Sequence, residues 1–307
     1  MKHLVNLFDV TPEEIEEIFR LSRRLKKELK EGTPHPMLKG KTLGMIFSKS
    51  STRTRVSFEV GMYQLGGYPL FLSSSDIQLG RGETIYDTAQ VLSRYISGIM
   101  IRTFKHSDVE DLARHGNIPV INGLTDLMHP CQILADLFTV LEVKGRLKGL
   151  KMAYVGDGNN VANSLLHGCA KVGMDISVAA PEGYGCNERI IEEARSNAGK
   201  SGSSVVITHD PAEAVRNADV VYTDTWVSMG QEAEKEMRLK TFMPYQVNGR
   251  LFSGAKSDAI FLHCLPAYRG LEVTEDIIDG PRSMVFEEAE NRLHVQKAIM
   301  AILMADR

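Results

Sequence analysis

The stretch Lys151-Met152-Ala153-Tyr154-Val155-Gly156-Asp157-Gly158-Asn159-Asn160 determines the fold class of the second half of the chain. Its first five residues are mostly apolar and predict a buried strand, and the two glycines that follow predict a tight turn. The apolar periodicity that continues to about Val172 predicts a helix directly after the turn. Strand, short turn and helix in succession form the unit from which parallel sheets covered by helices are built.

The same alternation extends through most of the sequence. In the second half, further strands are predicted at 175–179, 205–208, 220–223 and 260–262. In the first half, a helix capped by Thr11 is predicted to run to about Lys30, strands at 43–47, 68–72, 98–101 and 119–121, and helices near 52–65, 84–93, 108–115 and 131–143. The predicted class is α/β, with two open parallel-sheet domains covered by helices and joined by interdomain helices.

Chain length supports two domains. The protein has 307 residues, and a domain typically takes roughly 100–200. The short charged segment Lys144-Gly145-Arg146-Leu147-Lys148-Gly149 is the best candidate for the linker. A last amphipathic helix is predicted at about 287–304, with a face that could pack on either domain.

Composition excludes several classes of protein. Lys and Arg number 36 against 39 Asp and Glu, and 43% of residues are hydrophobic, so disorder and a general nucleic-acid-binding surface are disfavoured. The N-terminus has no apolar stretch of a secretory signal, and a membrane span is not expected, because about 18 consecutive apolar residues are needed. The four cysteines Cys131, Cys169, Cys186 and Cys264 form no CxxC pair, so we expect no zinc ribbon and a cytoplasmic protein.

Hydroxyls and arginines are concentrated in Ser50-Ser51-Thr52-Arg53-Thr54-Arg55, between a predicted strand and a predicted helix. Free backbone N–H groups at a helix N-terminus, together with arginines, favour a bound anion. The alternative is a capped, solvated helix start. The segment is not a Walker loop, because GxxxxGK[ST] is absent.

A second polar group is predicted at the same edge of the first sheet. His129-Pro130-Cys131-Gln132 begins the helix after the strand at 119–121, and Arg102 comes just after the strand at 98–101. Open α/β sheets bind ligands at the carboxyl ends of their strands, so three strand ends are expected to meet one anion. A lone His at a helix start is otherwise most often a cap or a packing residue.

Three segments of the second half carry polar groups after predicted strands. Gly156-Asp157-Gly158-Asn159-Asn160-Val161 has two glycines of the dinucleotide pattern GxGxxG, but Val161 replaces the third and Glu182 is only an approximate ribose acid. We interpret this turn as presenting Asn160. Asp224 starts a loop that without other evidence would be ordinary surface. His263-Cys264-Leu265-Pro266 is by itself neither a Cys–His dyad nor a metal site, because adjacent side chains diverge on an extended backbone.

Taken in order, these segments closely resemble the ornithine carbamoyltransferases of the aspartate/ornithine carbamoyltransferase family. The matching segments are Ser51-Thr52-Arg53-Thr54-Arg55, His129-Pro130-Cys131-Gln132, Asp224 with Ser228-Met229-Gly230, and His263-Cys264-Leu265-Pro266. The resemblance extends to Glu290-Asn291-Arg292 in the last helix. It implies transfer of a carbamoyl group from carbamoyl phosphate to the δ-amine of L-ornithine, giving L-citrulline and phosphate, in arginine biosynthesis or a catabolic arginine deiminase route. It implies no metal and no organic cofactor.

The resemblance also implies roles for individual residues. Phosphate would be held by Ser51, Thr52, Arg53, Thr54 and Arg102, and the carbamoyl oxygen polarised by Arg102, Thr54 and His129. Gln132 and the backbone of Cys264 and Leu265 would accept bonds from the carbamoyl NH₂, and Arg292 would complete that pocket. The ornithine-binding residues would be Asn160, Asp224, Ser228 and Met229, with Cys264 beside the δ-amine. Cys264, Arg102, His129 and Asp224 would be catalytic.

The resemblance further implies a division of labour and an assembly. Residues 1–146, with the helix 288–307 packed back on them, would bind carbamoyl phosphate, and residues 147–287 would bind ornithine. A homotrimer is implied, in which Gln78 belongs to a loop that reaches a neighbouring subunit's site.

Other functions remain open from the residues alone. An aspartate carbamoyltransferase would need extra cations, whereas Asp224 and Cys264 suit a cationic amine; putrescine and N-acylated ornithines are harder to exclude. A nicotinamide-dependent dehydrogenase would account for the second α/β half, but this hypothesis is weaker because Val161 replaces the third glycine of the dinucleotide pattern. A non-catalytic anion-binding module would leave Asp224 and Cys264 unexplained.

Overall fold

The computed structural model describes residues 1–73, 82–227 and 232–305. The chain forms two compact units, one made of Met1–Leu134 with Glu290–Arg307 and the other of Ala135–Ala289. Each unit is built on a parallel sheet with helices around it. The predicted α/β class with two open parallel sheets is thereby confirmed.

The sheet of the first unit has four strands in the order β2-β1-β3-β4. The strands are β1 (Thr42–Phe47), β2 (Tyr68–Ser73), β3 (Gly98–Arg102) and β4 (Val120–Leu124). The helices that begin in this unit are α1 (Pro12–Lys30), α2 (Thr52–Gln64), α3 (Ile85–Tyr95), α4 (His106–His115) and α5 (Pro130–Lys144). Phe47 pairs with Arg102, and Arg102 with Leu124, so the carboxyl ends of β1, β3 and β4 are neighbours.

Helix α1 shows how local sequence sets a boundary. The Thr11 side chain accepts a hydrogen bond from the Glu14 backbone N–H at 3.2 Å, and Glu14 accepts one from the Thr11 backbone N–H at 2.9 Å. This reciprocal pair is a capping box, and Pro12 occupies the first helical position, where a missing N–H costs nothing. The predicted start of this helix and its end at Lys30 agree with the structure.

The sheet of the second unit has five strands in the order β7-β6-β5-β8-β9. The strands are β5 (Lys151–Val155), β6 (Asp175–Ala179), β7 (Val205–Thr208), β8 (Val220–Tyr222) and β9 (Ile260–Leu262). The helices are α6 (Asn160–Val172), α7 (Glu188–Ser201), α8 (Pro211–Val215), α9 (Lys235–Phe242), α10 (Gly249–Phe252), α11 (Glu275–Ile278) and the start of α12 (Val285–Met304), with 3₁₀ turns at Glu232–Glu234 and Met243–Tyr245. Strands β5, β8 and β9 are neighbours, so the segments after them share one edge of the sheet.

Two helices carry the chain from one unit to the other. α5 begins in the first unit and ends in the second, and α12 begins in the second and ends in the first. The predicted interdomain helices are therefore present. Arg292, which lies on α12, belongs to the first unit.

Apolar side chains are concentrated in the interior of each unit. Ile46, Ile99 and Val120 lie in the core of the first, and Val155, Val221 and Phe261 lie in the core of the second. Within the described residues no helix combines the length and the apolar character that crossing a membrane requires.

Candidate active site

One group of candidate site residues lies in the first unit, where three neighbouring strands end. We call it the anion half-site and define it by Thr54, Arg102, His129, Gln132 and Arg292. Arg102 closes β3, Thr54 lies in the first turn of α2 after β1, and His129 immediately precedes α5 after β4. Arg292 comes from α12. All five side chains are buried.

The start of α2 is built to expose backbone donors. Ser51 caps the helix by accepting a hydrogen bond from the Thr54 backbone N–H at 3.2 Å, and its hydroxyl donates to Thr54 Oγ1 at 3.1 Å. Thr52 and Arg53 are exposed at this N-terminus. Free N–H groups and the helix dipole make such a position favourable for an anion.

The arginines of the anion half-site create a strongly positive environment. Burial lowers the pKa of the His129 imidazole well below its ordinary value, and the charges of Arg292, Arg102 and Arg53 lower it further. His129 is therefore a neutral imidazole near three guanidinium groups. The buried guanidinium groups of Arg102 and Arg292 favour an anionic ligand beside them.

Arg292 is held by two residues of the half-site. Its Nη1 donates to Gln132 Oε1 at 2.7 Å, and its Nη2 donates to Thr54 Oγ1 at 3.2 Å. Arg55 differs from Arg53, the other arginine of the Ser50–Arg55 segment, because its Nε donates to Glu59 Oε1 at 2.9 Å and its guanidinium lies 3.8 Å from the centre of the Phe71 ring. Arg55 is thus engaged on the outer face of α2.

Another group of candidate site residues lies in the second unit. We call it the amine half-site and define it by Asn159, Asn160, Asp224 and Cys264. Asp224 follows β8, and Cys264 follows the adjacent parallel strand β9. The Cys264 thiol donates to Asp224 Oδ1 at a sulfur–oxygen distance of 3.1 Å. Asp224 is buried and Cys264 half-buried.

The thiol of Cys264 stays protonated at neutral pH. Burial raises the pKa of Cys264 well above its ordinary value, and the nearby Asp224 carboxylate raises it further. A thiolate nucleophile would need a neighbouring positive charge or a base to lower that pKa. The pair therefore consists of a carboxylate acceptor and a thiol donor.

His263, the neighbour of Cys264, shapes the turn. Its Nδ1 accepts a hydrogen bond from the Leu265 backbone N–H at 2.9 Å, and its Nε2 lies 3.2 Å from Glu272 Oε1. Leu265 adopts a positive φ of 57°, a conformation that non-glycine residues rarely adopt. His263 thus stabilises an unusual backbone turn.

Glu288 supports the same turn from α12. Its carboxyl accepts a hydrogen bond from the His263 backbone N–H at 2.9 Å and one from the Tyr222 hydroxyl at 3.2 Å. Burial and the nearby Asp136 carboxyl raise the pKa of Glu288 well above its ordinary value. Sequence reasoning missed both Glu288 and Glu272, because each acts through tertiary contacts that no local pattern signals.

Three side chains at the amine half-site could in principle hold a metal ion, because one donor atom each from Asp224, His263 and Cys264 lies within 4.8 Å of the others. Both ring nitrogens of His263 are engaged with Leu265 and Glu272, and Cys264 holds the proton that a metal would displace. The three residues thus fit a hydrogen-bonded set better than a ligand shell.

The turn after β5 presents two asparagines with different roles. Asn159 caps α6, and its amide also contacts Asp224, while Asn160 is the first residue of the helix. The sequence prediction singled out Asn160 and not Asn159. Predicted site residues Gln78, Ser228 and Met229 lie outside the described residues.

Comparison with known proteins covers nearly the whole chain. Residues 2–142 match the family model for the carbamoyl-P binding domain of aspartate/ornithine carbamoyltransferase, and residues 148–303 match that for its Asp/Orn binding domain. The ornithine carbamoyltransferase of Carboxydothermus hydrogenoformans is 60% identical over 303 residues, covering 99% of this chain and 97% of the relative. That of Thermococcus kodakarensis is 60% identical over 298 residues, covering 97% and 95%.

Solved structures give the same result. The ornithine carbamoyltransferase of Pyrococcus furiosus superposes with a TM-score of 0.96 at 57% identity, covering 99% of this chain and 97% of that one. The structure from Thermus thermophilus gives a TM-score of 0.88 at 42% identity, with 99% of each chain covered.

Proposed function

The chain belongs to the aspartate/ornithine carbamoyltransferase family and, within it, to the ornithine carbamoyltransferases, and from that premise we propose that it transfers the carbamoyl group of carbamoyl phosphate to the δ-amine of L-ornithine. The products are L-citrulline and phosphate. The observation that carries the choice of amine is the hydrogen-bonded pair of Asp224 and Cys264. A buried carboxylate suits a cationic substrate, whereas aspartate as acceptor would bring a further negative charge next to it.

Carbamoyl phosphate is assigned to the anion half-site. Ser51, Thr52, Arg53, Thr54 and Arg102 bind its phosphate, because backbone donors, hydroxyls and guanidinium groups are the partners that phosphate prefers. His129 is neutral and can donate one N–H to the carbonyl oxygen beside Arg102 and Thr54. Gln132 accepts a bond from the carbamoyl NH₂, as the backbone of Cys264 and Leu265 would, and Arg292 holds Gln132 in place.

The amine half-site binds ornithine in this proposal. Asp224 accepts hydrogen bonds from an ammonium group of the substrate, and Cys264 lies beside the δ-amine. Asn160, Ser228 and Met229 are assigned to ornithine binding by the resemblance alone. The δ-amine must be neutral to attack, since an ammonium has no lone pair. Because Cys264 already carries its proton, the thiol serves as a donor and the proton lost from the δ-ammonium goes to another acceptor.

The bond changes balance without a cofactor. The lone pair of the neutral amine attacks the carbonyl carbon, and the anion that develops on the oxygen is stabilised by the donors of the anion half-site. The bond from carbon to the phosphate oxygen then breaks, and phosphate leaves with the electron pair. One N–H proton of the attacking amine ends on the departing phosphate.

A colorimetric citrulline assay tests the proposal. Ornithine, putrescine, N-acetylornithine and aspartate are offered in parallel with carbamoyl phosphate, and ureido product with ornithine alone is the expected result. Product with another amine, and none with ornithine, would reassign the acceptor. Binding of a nicotinamide cofactor, monitored by its fluorescence, would instead favour the dehydrogenase reading.

We also propose a homotrimer and the division of labour given by residues 1–146 with 288–307 and by residues 147–287. An apolar stripe on α2 supports self-association, because Val56, Val60 and Tyr63 lie on one face and are 50%, 37% and 77% exposed. A contiguous exposed apolar patch is a feature of protein interaction surfaces. Light scattering should give three times the 34.1 kDa chain mass, and Tyr63→Glu should lower it; a monomeric wild type would contradict the trimer.

A cytoplasmic role in arginine metabolism completes the proposal. The four cysteines are free thiols, which suits a reducing compartment. Either arginine biosynthesis or the catabolic arginine deiminase route would use this reaction. Growth without arginine of a host that lacks its own enzyme would show that the chain supports the biosynthetic direction.

A further inference from the structure

We propose that Asn159 is a positioning residue that fixes the carboxylate of Asp224 and so controls use of the amine substrate. The inference rests on the proposed function and names a residue that neither the resemblance nor the sequence pattern assigned. Asn159 is to be distinguished from Asn160, the adjacent residue predicted to contact ornithine.

The amide of Asn159 is locked by the helix that it caps. Its Oδ1 accepts hydrogen bonds from the backbone N–H groups of Val161 at 2.9 Å and Ala162 at 3.2 Å. With the oxygen fixed on these donors, the NH₂ group must face the other way. An inverted amide would place N–H donors against N–H donors, so the orientation follows from the hydrogen bonds themselves.

The locked NH₂ group is directed at Asp224. Asn159 Nδ2 donates to Asp224 Oδ2 at 2.8 Å, and Cys264 donates to the other oxygen, Oδ1, at 3.1 Å. Among the described residues, each carboxylate oxygen therefore accepts from a protein donor, one in the turn after β5 and one just after β9. Two donors on opposite oxygens fix the plane of the carboxylate.

The two donors to Asp224 are held by different parts of the fold. The Cys264 thiol depends on a turn held by His263 and Glu288, whereas the Asn159 donor is set by the first turn of α6. The remaining lone pairs of Asp224 keep a fixed direction for a substrate ammonium. Loss of the Asn159 donor would let the carboxylate rotate and would weaken substrate binding without touching the anion half-site.

Two substitutions of Asn159 distinguish loss of its hydrogen bond to Asp224 from loss of its capping of α6. Serine and aspartate are both good N-cap residues, so Asn159→Ser and Asn159→Asp preserve the helix start. Serine removes the NH₂ group that donates to Asp224, and aspartate replaces that group with a carboxylate oxygen facing Asp224. Asn248→Ser is the matched control, because Asn248 caps α10 in the same unit through the Leu251 N–H at 3.1 Å.

The test measures citrulline formation by wild type and these variants, with KM determined separately for ornithine and carbamoyl phosphate and with thermal unfolding in parallel. For Asn159→Ser we expect the ornithine KM to rise about 10- to 100-fold, the loss of one hydrogen bond to a charged group. The ornithine KM of Asn159→Asp should rise further, because two carboxylates facing each other repel and the Asp224 carboxylate loses its donor. For both Asn159 variants, the KM for carbamoyl phosphate and the melting temperature should equal those of the Asn248→Ser control.

Two results would overturn the inference. One is an ornithine KM and kcat of Asn159→Ser equal to wild type, and the other is an equal rise in both KM values together with a fall in melting temperature, which would indicate a structural role. A wild type that forms no citrulline refutes the proposed function, and this inference with it. An active wild type beside an unaltered Asn159→Ser refutes the role of Asn159 alone.

Discussion

Arg292 and Gln132 are joined by a hydrogen bond of 2.7 Å between the guanidinium Nη1 and the side-chain oxygen. The second arm of the same guanidinium reaches Thr54 at 3.2 Å. One planar side chain thus fixes two others that are assigned to the carbamoyl group. A point charge on a flexible stem cannot hold both at once.

Arg292→Lys should therefore raise the KM for carbamoyl phosphate by about 10- to 100-fold, the loss of one charge-assisted hydrogen bond. Steady-state kinetics at saturating ornithine measures the change. Arg269→Lys is the control, because Arg269 pairs with Asp279 on the exposed surface. Equal KM values for Arg292→Lys and this control would contradict the role of Arg292.

Arg53→Ala should abolish most of the affinity for inorganic phosphate while the fold persists. Arg53 is exposed at the start of α2, so its removal leaves no cavity, but it removes a charge that acts on His129. Calorimetric titration with phosphate gives the affinity. Arg55→Ala provides the comparison, since Arg55 pairs with Glu59 and Phe71 and should bind phosphate like wild type.

His129 should show no ionisation between pH 6.5 and 8. Because burial and three arginines hold its pKa well below the ordinary 6.5, the imidazole is neutral in the folded protein throughout that range. Its contribution to stability is lost only as the pH falls below about 6.5, where the unfolded chain takes up a proton that folded His129 does not. The measurement is the pH dependence of kcat/KM for carbamoyl phosphate. A decrease centred near pH 6.5 in the wild type that is absent from His129→Asn would show that His129 does ionise in this range.

Cys264→Ala should impair ornithine use more than carbamoyl phosphate binding, because it removes the donor to Asp224 Oδ1. Cys264→Ser should be milder, since a hydroxyl can donate to the same oxygen. The raised pKa of the thiol also predicts slow alkylation of Cys264 by iodoacetamide at pH 8 compared with free cysteine. Unchanged ornithine kinetics in the alanine variant would remove Cys264 from the site.

Gly158→Ala should destabilise the second unit. A Cβ at this position would lie 2.2 Å from the carbonyl carbon of Gly185, so the turn carrying Asn159 must move, at a cost of about 1–3 kcal/mol. Thermal unfolding and the ornithine KM report the two effects. Gly199→Ala in α7 is the matched control, because a Cβ there meets nothing within 4 Å among the described residues; a melting temperature of Gly158→Ala equal to that of the control would refute the clash.

Local pattern predicted the sheets well, because buried parallel strands are apolar runs and their helices have a regular period. The Thr11 cap and the strand at 151–155 are examples, and both agree with the structure. Helices α7 to α11 were not predicted. For α8 to α11, four to eight residues give too little periodicity to recognise, whereas α7 has 14 residues and was overlooked.

Sequence pattern indicated candidate site residues mainly where polar side chains follow predicted strands. Arg102, Asp224 and Cys264 were proposed in that way, and in the structure Arg102 ends β3, while Asp224 and Cys264 come two residues after β8 and β9. The contacts of Asn159 with Asp224 and of Glu288 with His263 could not be read from sequence, because these partners are distant in the chain. Two adjacent asparagines look alike in sequence, and it is the structure that identifies Asn159 as the cap of α6 and as a donor to Asp224.

The first unit is closed by α12, the last helix of the chain, and this has a consequence for synthesis on the ribosome. A nascent chain that has completed β1 to β4 still lacks Arg292, which comes more than 160 positions after Leu124. The anion half-site therefore matures only after the entire second unit has been translated. A chain released early would carry the four strands and α2, but it would lack the guanidinium that holds Gln132 and Thr54.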